Sequence, residues 1–395
     1  MRRLFGIAAL GLQLVFPGFC DDPAAWERQF HDARTLQETG RLAEAESLYR
    51  GLLARMGTLA DSGVWEARIL SNLAALRHSQ AKYAEAEQFI LRALAVWKDA
   101  RDVQPSEIAA VTGNLAALHV AQGRLHEAES VQRQALALLE QTAGSDHPDL
   151  AAGLVRLGDI YRRLGLYAQS EAVSRRAIAL LNTSPAGKKD HLIIALNNLG
   201  SVQAALGRHA AAEELYRQAL EIAGQSMGDR PDVASVLNNL ALSCRALGRT
   251  EEAEWSLLES LRIVEKTAGR EHPKAAAALN NLAQLYRAQG RYAEAEPLYR
   301  QALEVWETAL GPGHPDLGKG LRNLGYLFLD QKKYAGAEKL FRRSLEILSR
   351  SLGEGSEETV SARSDLETAL RAQGRLTEAR SIQDHVSAMF AGPGR

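Results

Sequence analysis

An all-α solenoid of about nine stacked helix-turn-helix units is the fold class that this 395-residue sequence predicts. Three observations predict it. One complete unit of helix, Gly-Arg turn, helix and His-Pro loop stands between Leu279 and Pro315. Variants of it tile nearly the whole chain at a fixed period. Such a helix pair cannot bury its apolar face alone, so copies must stack.

The first half of that unit places Leu279, Leu282, Ala283 and Tyr286 at i, i+3, i+4 and i+7, one face of a helix. Gly290-Arg291 breaks the pattern, since glycine is favoured just past a helix C-terminus, where φ turns positive. The second half restarts with Ala295, Leu298, Tyr299, Ala302, Leu303 and Trp306 on one face. Its alanines let the two backbones approach, and the larger side chains fill what remains. Pro315 suits the first turn of the next helix, where its missing N–H is no loss.

The turn glycine recurs at Gly40, Gly123, Gly165, Gly207, Gly248, Gly290 and Gly374; Ala81 and Lys332 take its place in two copies. From Gly123 to Gly290 the step is 42 residues, apart from 41 between Gly207 and Gly248. Nine repeats result, near residues 23–62, 63–104, 105–146, 147–188, 189–229, 230–271, 272–313, 314–355 and 356–390.

With LNNLA, GRYAEAEPLYRQAL and GPGHP, the unit resembles the tetratricopeptide repeat. Its roughly 42-residue form is similar to the repeats of kinesin light chains and their bacterial relatives, over about Pro23 to Phe390. The resemblance implies a right-handed superhelical solenoid of tetratricopeptide-type repeats, with the first (A) helix of each pair on a concave side. It also implies a binding framework of general purpose rather than a particular role.

Repeat 1 carries Trp26, Phe30, Ala33 and Leu36, but places Gln29 and Asp32 where later copies are apolar, as expected of an N-terminal cap. Its second helix is expected over Ala43 to Met56. Repeat 4 replaces the asparagine pair of later copies with Val155-Arg156, and the least regular joint is Asn182 to Asp190. Repeat 9 has Ser364-Asp365 instead, and ends on Ile382, Val386 and Met389 at helical spacing, an edge that folds back as a cap or meets another chain.

Residues 1–20 differ in kind. Arg2-Arg3 precede an apolar run from Leu4 to Phe16, too short for a bilayer span and suited to a secretory signal peptide cleaved before Asp21. A lipid anchor on Cys20 and a retained N-terminal helix are the competing readings, and a membrane partner is expected only under those two. The solenoid is therefore expected to be exported, periplasmic or extracellular, with the cytoplasm as the alternative.

A net charge of −1 and 24% charged residues offer no polyanion-binding surface, so nucleic acid is not an expected partner. The only other cysteine, Cys244, reads as a small core filler. No phosphate loop, zinc spacing or nucleophile elbow occurs. No catalytic residues, cofactor, metal or small-molecule substrate are expected, and the chain reads as a non-enzyme.

The candidate site is polar. Asn197-Asn198, Asn238-Asn239 and Asn280-Asn281 are doublets, with Asn72, Asn114 and Asn323 as single members, on the A-helix flank away from the core face. Carboxamides both donate and accept, so a ladder of them can satisfy the backbone of an extended peptide. The resemblance to kinesin light chains lends the same role to these positions. The alternative is that they bond the neighbouring repeat and fix stacking. Asn280, Gln284 and Arg287 share a face, and Arg162, Arg245, Arg287 and Arg371 occupy one repeat position, which points to an acidic peptide or a structural pairing with Glu. Arg249, Arg291 and Arg375 read as structural, as do His147, His272 and His314 before their loop prolines. The tryptophans and the Glu pairs of each EAE segment, such as Glu294 and Glu296, read as core fillers and solvated faces. The predicted function is a non-catalytic scaffold binding a peptide or protein segment. An assembly factor of a cell-envelope complex, acting through its edges or by self-association, is the alternative.

Overall fold

The computed structural model describes residues 23–38, 41–56, 62–80, 82–99, 104–147, 149–183, 189–224 and 229–382. Every ordered element among them is helical. The chain forms two compact units that divide between Ile160 and Tyr161. The N-terminal 20 residues, the tip of the Asn182–Asp190 joint, Ala81, Val386 and Met389 lie outside the described residues.

Unit 1 comprises α1 (Pro23–Glu38), α2 (Leu42–Ala54), α3 (Ser62–Ser79), α4 (Tyr83–Asp99), α5 (Pro105–Ala121), α6 (Leu125–Ala143) and the start of α7 (Leu150–Arg163). Unit 2 holds α8 (Tyr167–Asn182), α9 (Lys189–Ala205), α10 (His209–Gly224), α11 (Pro231–Ala246), α12 (Thr250–Ala268), α13 (Pro273–Ala288), α14 (Tyr292–Leu310), α15 (Pro315–Asp330), α16 (Tyr334–Leu352) and α17 (Glu357–Ala372). Residues 376–382 are helical as well. Odd-numbered helices from α1 to α17 are the A helices and even-numbered ones the B helices.

The turn chemistry is the expected one. Gly123, Gly207, Gly248 and Gly290 have φ between 74° and 78°, and the next N–H reaches back five residues, as in Arg249 N–H to Cys244 O at 2.8 Å. Lys332 takes the same left-handed conformation at φ 60°, with a side chain that glycine would spare it. The B-to-A loops end on caps: Nδ1 of His272 accepts from Lys274 N–H at 3.1 Å, and that of His314 from Asp316 N–H at 3.2 Å. Those histidines cap the N-termini of α13 and α15, a structural role in keeping with their place before proline.

Packing follows the period. Three B helices of unit 2, α10, α14 and α16, each bury one large aromatic side chain, Tyr216, Tyr299 and Phe341. Tyr216 stands over Gly200 and Phe341 over Gly325, and Tyr299 shares a core cluster with Ala283. Burying side chains of this size contributes roughly 1.5–3 kcal/mol each. Each A helix from α9 to α15 also touches the next A helix, whereas the B helices pack on their sequence neighbours. The A helices are thus the closer-spaced layer of the stack. α1 touches α3, and α3 touches α5, in the same way in unit 1. At the ends, Asp32 is exposed as the cap reading requires, and Ile382 packs against the cluster around Phe341 and Leu370.

Two expectations need correction. Trp255 is not a core filler: it is 62% exposed beside exposed Leu258 on the outer face of α12. Nor is the second Glu of each EAE segment merely solvated. Glu46 of α2 takes Arg77 of α3, and Glu87 of α4 takes Arg124 at 3.0 Å. Glu213 takes Arg249, Glu254 takes Arg291 at 3.0 Å, and Glu338 takes Arg375 at 2.6 Å. The arginine after the turn glycine, at Arg124, Arg249, Arg291 and Arg375, therefore clamps its repeat to the B helix before it, and Arg77 does the same from within α3. Arg291 and Arg375 also hold the first Glu of their own EAE-type segment, Arg291 to Glu294 at 2.7 Å.

Candidate functional site

The A-helix layer of unit 2 carries the polar positions that the sequence singled out. They line up. Asn239 Nδ2 donates to Asn197 Oδ1 at 3.0 Å, Asn281 Nδ2 to Asn238 Oδ1 at 2.9 Å, and Asn323 Nδ2 to Asn280 Oδ1 at 3.0 Å. The second asparagine of each repeat thus bonds the first asparagine of the repeat before it. The series closes with charge, where Arg322 Nε donates to Asp365 Oδ2 at 2.5 Å. Asn198 and Asn280 are buried, and Asn197, Asn238, Asn239, Asn281 and Asn323 are half-buried.

A net hydrogen bond of this kind contributes about 1 kcal/mol, so the ladder helps set the register of stacking. It does not exhaust the groups. Each carboxamide has two N–H donors and a carbonyl with two lone pairs, and each rung uses one of each kind. Asn239 also reaches Ser201 Oγ at 3.3 Å, and Asn280 reaches Asn281 at 3.5 Å. Asn238 and Asn239 line a recess of about 210 Å3 between α11, α12 and α13, together with Ser235, Lys274 and Ala277. Part of the ladder therefore faces open space.

The arginine stripe divides. Arg287 Nε donates to Asp330 at 2.6 Å and its guanidinium lies 5.1 Å from the Tyr326 ring, while Arg371 pairs with Glu367 at 2.7 Å. Arg245 differs. It is half-buried, and its one hydrogen bond is from Nη1 to Gln284 Oε1 at 3.2 Å. Among the described residues no carboxylate pairs with it, and burial lowers its pKa. Close by, the Tyr299 hydroxyl is buried with no hydrogen-bond partner among the described residues, and burial pushes its pKa well up. The sequence grouped these arginines by position, but their different partners come from single residues, Asp330 above all, that break the repeat.

A different cluster brings Glu213, Cys244 and Glu252 within 4.8 Å of one another. Glu213 is already held there by Arg249 and by Arg217 at 2.6 Å, and burial raises the Cys244 thiol pKa, so the group reads as packing. No described helix is long and apolar enough to cross a membrane.

The family model described as tetratricopeptide repeat matches residues 33–99, 107–183, 149–225, 191–266, 232–308, 274–349 and 316–391. No curated protein matches the chain. Among solved structures, it is similar to the apo form of the quorum sensor NprR from B. thuringiensis, at 16% identity over 82% of this chain and 87% of that one, TM-score 0.63. It is also similar to a Rap protein complexed with Competence and Sporulation Factor, at 16% identity over 90% and 99%, TM-score 0.53. BtubC (BKLC) from P. vanneervenii is 23% identical over 60% and 93%, TM-score 0.48. Identities this low speak to the fold.

Proposed function

The chain belongs to the tetratricopeptide repeat family, and from that premise we propose that the A-helix layer of unit 2 binds an extended polypeptide segment carrying an acidic residue. One observation carries the reading: Arg245 is a half-buried cation with no acid to pair with among the described residues, about two turns along α11 from an open recess edged by Asn238 and Asn239. A bidentate carboxylate suits a guanidinium fork, and the spare carboxamide groups suit a peptide backbone. The helices are already in place, so the peptide alone must order on binding. The structurally similar Rap protein, solved in complex with Competence and Sporulation Factor, supports a binding role for a fold of this kind.

The test starts from dodecapeptides selected from a random displayed pool on the full chain. Arg245→Gln is expected to weaken the acidic peptides so selected by about tenfold, since a charge-assisted bond contributes roughly 1.5–3 kcal/mol. The melting temperature should hold, because the variant removes an unpaired charge. An unchanged Kd for those peptides would remove the claim. Asn239→Ala with Asn281→Ala should also weaken binding, though that pair costs two rungs of the ladder as well.

Export is proposed on the sequence of residues 1–20 alone. N-terminal sequencing of the chain purified from its native cells is expected to begin at Asp21; a chain beginning at Met1 would contradict it.

A further inference from the structure

Unit 1 carries a second recess on its own A-helix layer, built differently. It holds about 610 Å3 and is walled by α1, α3 and α5, with Phe30, Trp65 and Trp97 supplying aromatic surface. That volume lies in the range of pockets that hold organic groups. Phe30 and Trp65 meet edge to face, their centroids 5.5 Å apart. Trp97 is only 4% exposed, and its Nε1–H is sealed from solvent with no acceptor among the described residues. A buried indole N–H ordinarily finds one. Asn114 lines the same recess with its carboxamide unengaged, and Asn72 spends one N–H on Arg68 O at 2.9 Å. Arg68 and Glu107 neutralise each other at 2.6 Å on the wall.

The ladder of unit 2 cannot form here, because Gly113 stands where a first asparagine would be. Arg156 stands where the following repeat would place the second. Its guanidinium fills the space over Gly113, with Nη2 2.7 Å from where a Cβ would sit. Arg156 has no hydrogen-bond or acid partner among the described residues, its Nε is sealed from solvent, and burial lowers its pKa. A cation in that position is complete only when an anion reaches it.

We propose that unit 1 is a second peptide site, taking a bulky apolar side chain between Phe30, Trp65 and Trp97 and a carboxylate of the same peptide at Arg156. This rests on the reading of the A-helix layer as a peptide-binding surface, but on different residues from those of unit 2. The peptide backbone between the two anchors passes exposed Asn114, whose carboxamide both donates to and accepts from it. From α3 to α7 is two A-helix steps of about 10 Å each. An extended chain covers that in roughly six residues at about 3.3 Å apiece.

The probes are fluorescein-labelled peptides of Gly and Ser carrying one Phe and one Glu separated by two, five or eight residues, titrated against the full chain. The five-residue spacer should bind at least tenfold tighter than the other two, and Glu→Gln in that peptide should lose about tenfold. Arg156→Gln in the protein should abolish the preference for Glu over Gln. Asn114→Ala, which removes the exposed carboxamide between the two anchors, should weaken every Phe peptide several-fold. Equal affinity for the three spacers, or a Glu preference that survives Arg156→Gln, overturns the proposal. Arg245→Gln should leave these titrations unchanged, so failure of the unit 2 site and failure of this one are separable.

Discussion

Phe341→Ala is expected to lower the stability of unit 2 by about 4 kcal/mol, the usual cost of emptying a fully buried aromatic site. The Phe341 side chain is wholly buried and stands directly over Gly325 of α15, where a Cβ would collide with its ring. It also meets Tyr326 edge to face at 5.5 Å and packs on Leu366 and Leu370 of the next repeat. Removing it therefore loosens two interfaces at once, the one within repeat 8 and the one between repeats 8 and 9. Gly325→Ala should cost about 2 kcal/mol by overpacking the same contact. Combined with Phe341→Leu it should cost clearly less than the two single changes added together, because the smaller side chain vacates the space the methyl needs. Chemical denaturation at unchanged slope is the readout. Strict additivity of the pair would show that the Gly325 and Phe341 sites do not share one space.

Asp365→Ala should be nearly as damaging, at about 3–5 kcal/mol. Asp365 is buried and takes both Arg322 Nε, at 2.5 Å, and the Tyr326 hydroxyl. Truncating it leaves a mostly buried guanidinium and a phenol without their acceptor. The cost comes from the stranded charge more than from the lost attraction, so Arg322→Ala together with Asp365→Ala should be milder than Asp365→Ala alone. A double variant that is less stable than the single would show instead that the pair itself supplies the stabilisation.

The repeat architecture was legible because the same physics is written many times over. Gly290-Arg291 and its copies mark turns, and apolar spacing marks faces, so the helix pairs and their boundaries follow from period alone. The clamp between Arg291 and Glu254 was legible too in principle, since acid and arginine recur 36 or 37 residues apart. Reading each EAE segment only along its own helix hid it. The asparagine doublets are legible in the sequence as A-helix residues, but their mutual bonding depends on one residue meeting the next repeat at about 3 Å, a distance that helical phase does not fix. What sequence could least show is where the pattern lapses. Arg156, Arg245 and Trp97 matter because a partner is missing, and a missing partner is visible only in three dimensions.

Hydrogen exchange of the full chain with and without a selected acidic peptide tests the binding claim most directly. Protection gained along α11 and α13, at Ser235 to Asn239 and Ala277 to Gln284, with α12 around Trp255 unchanged, is the predicted result. Protection confined to the outer B-helix face around Trp255 and Leu258 would contradict it.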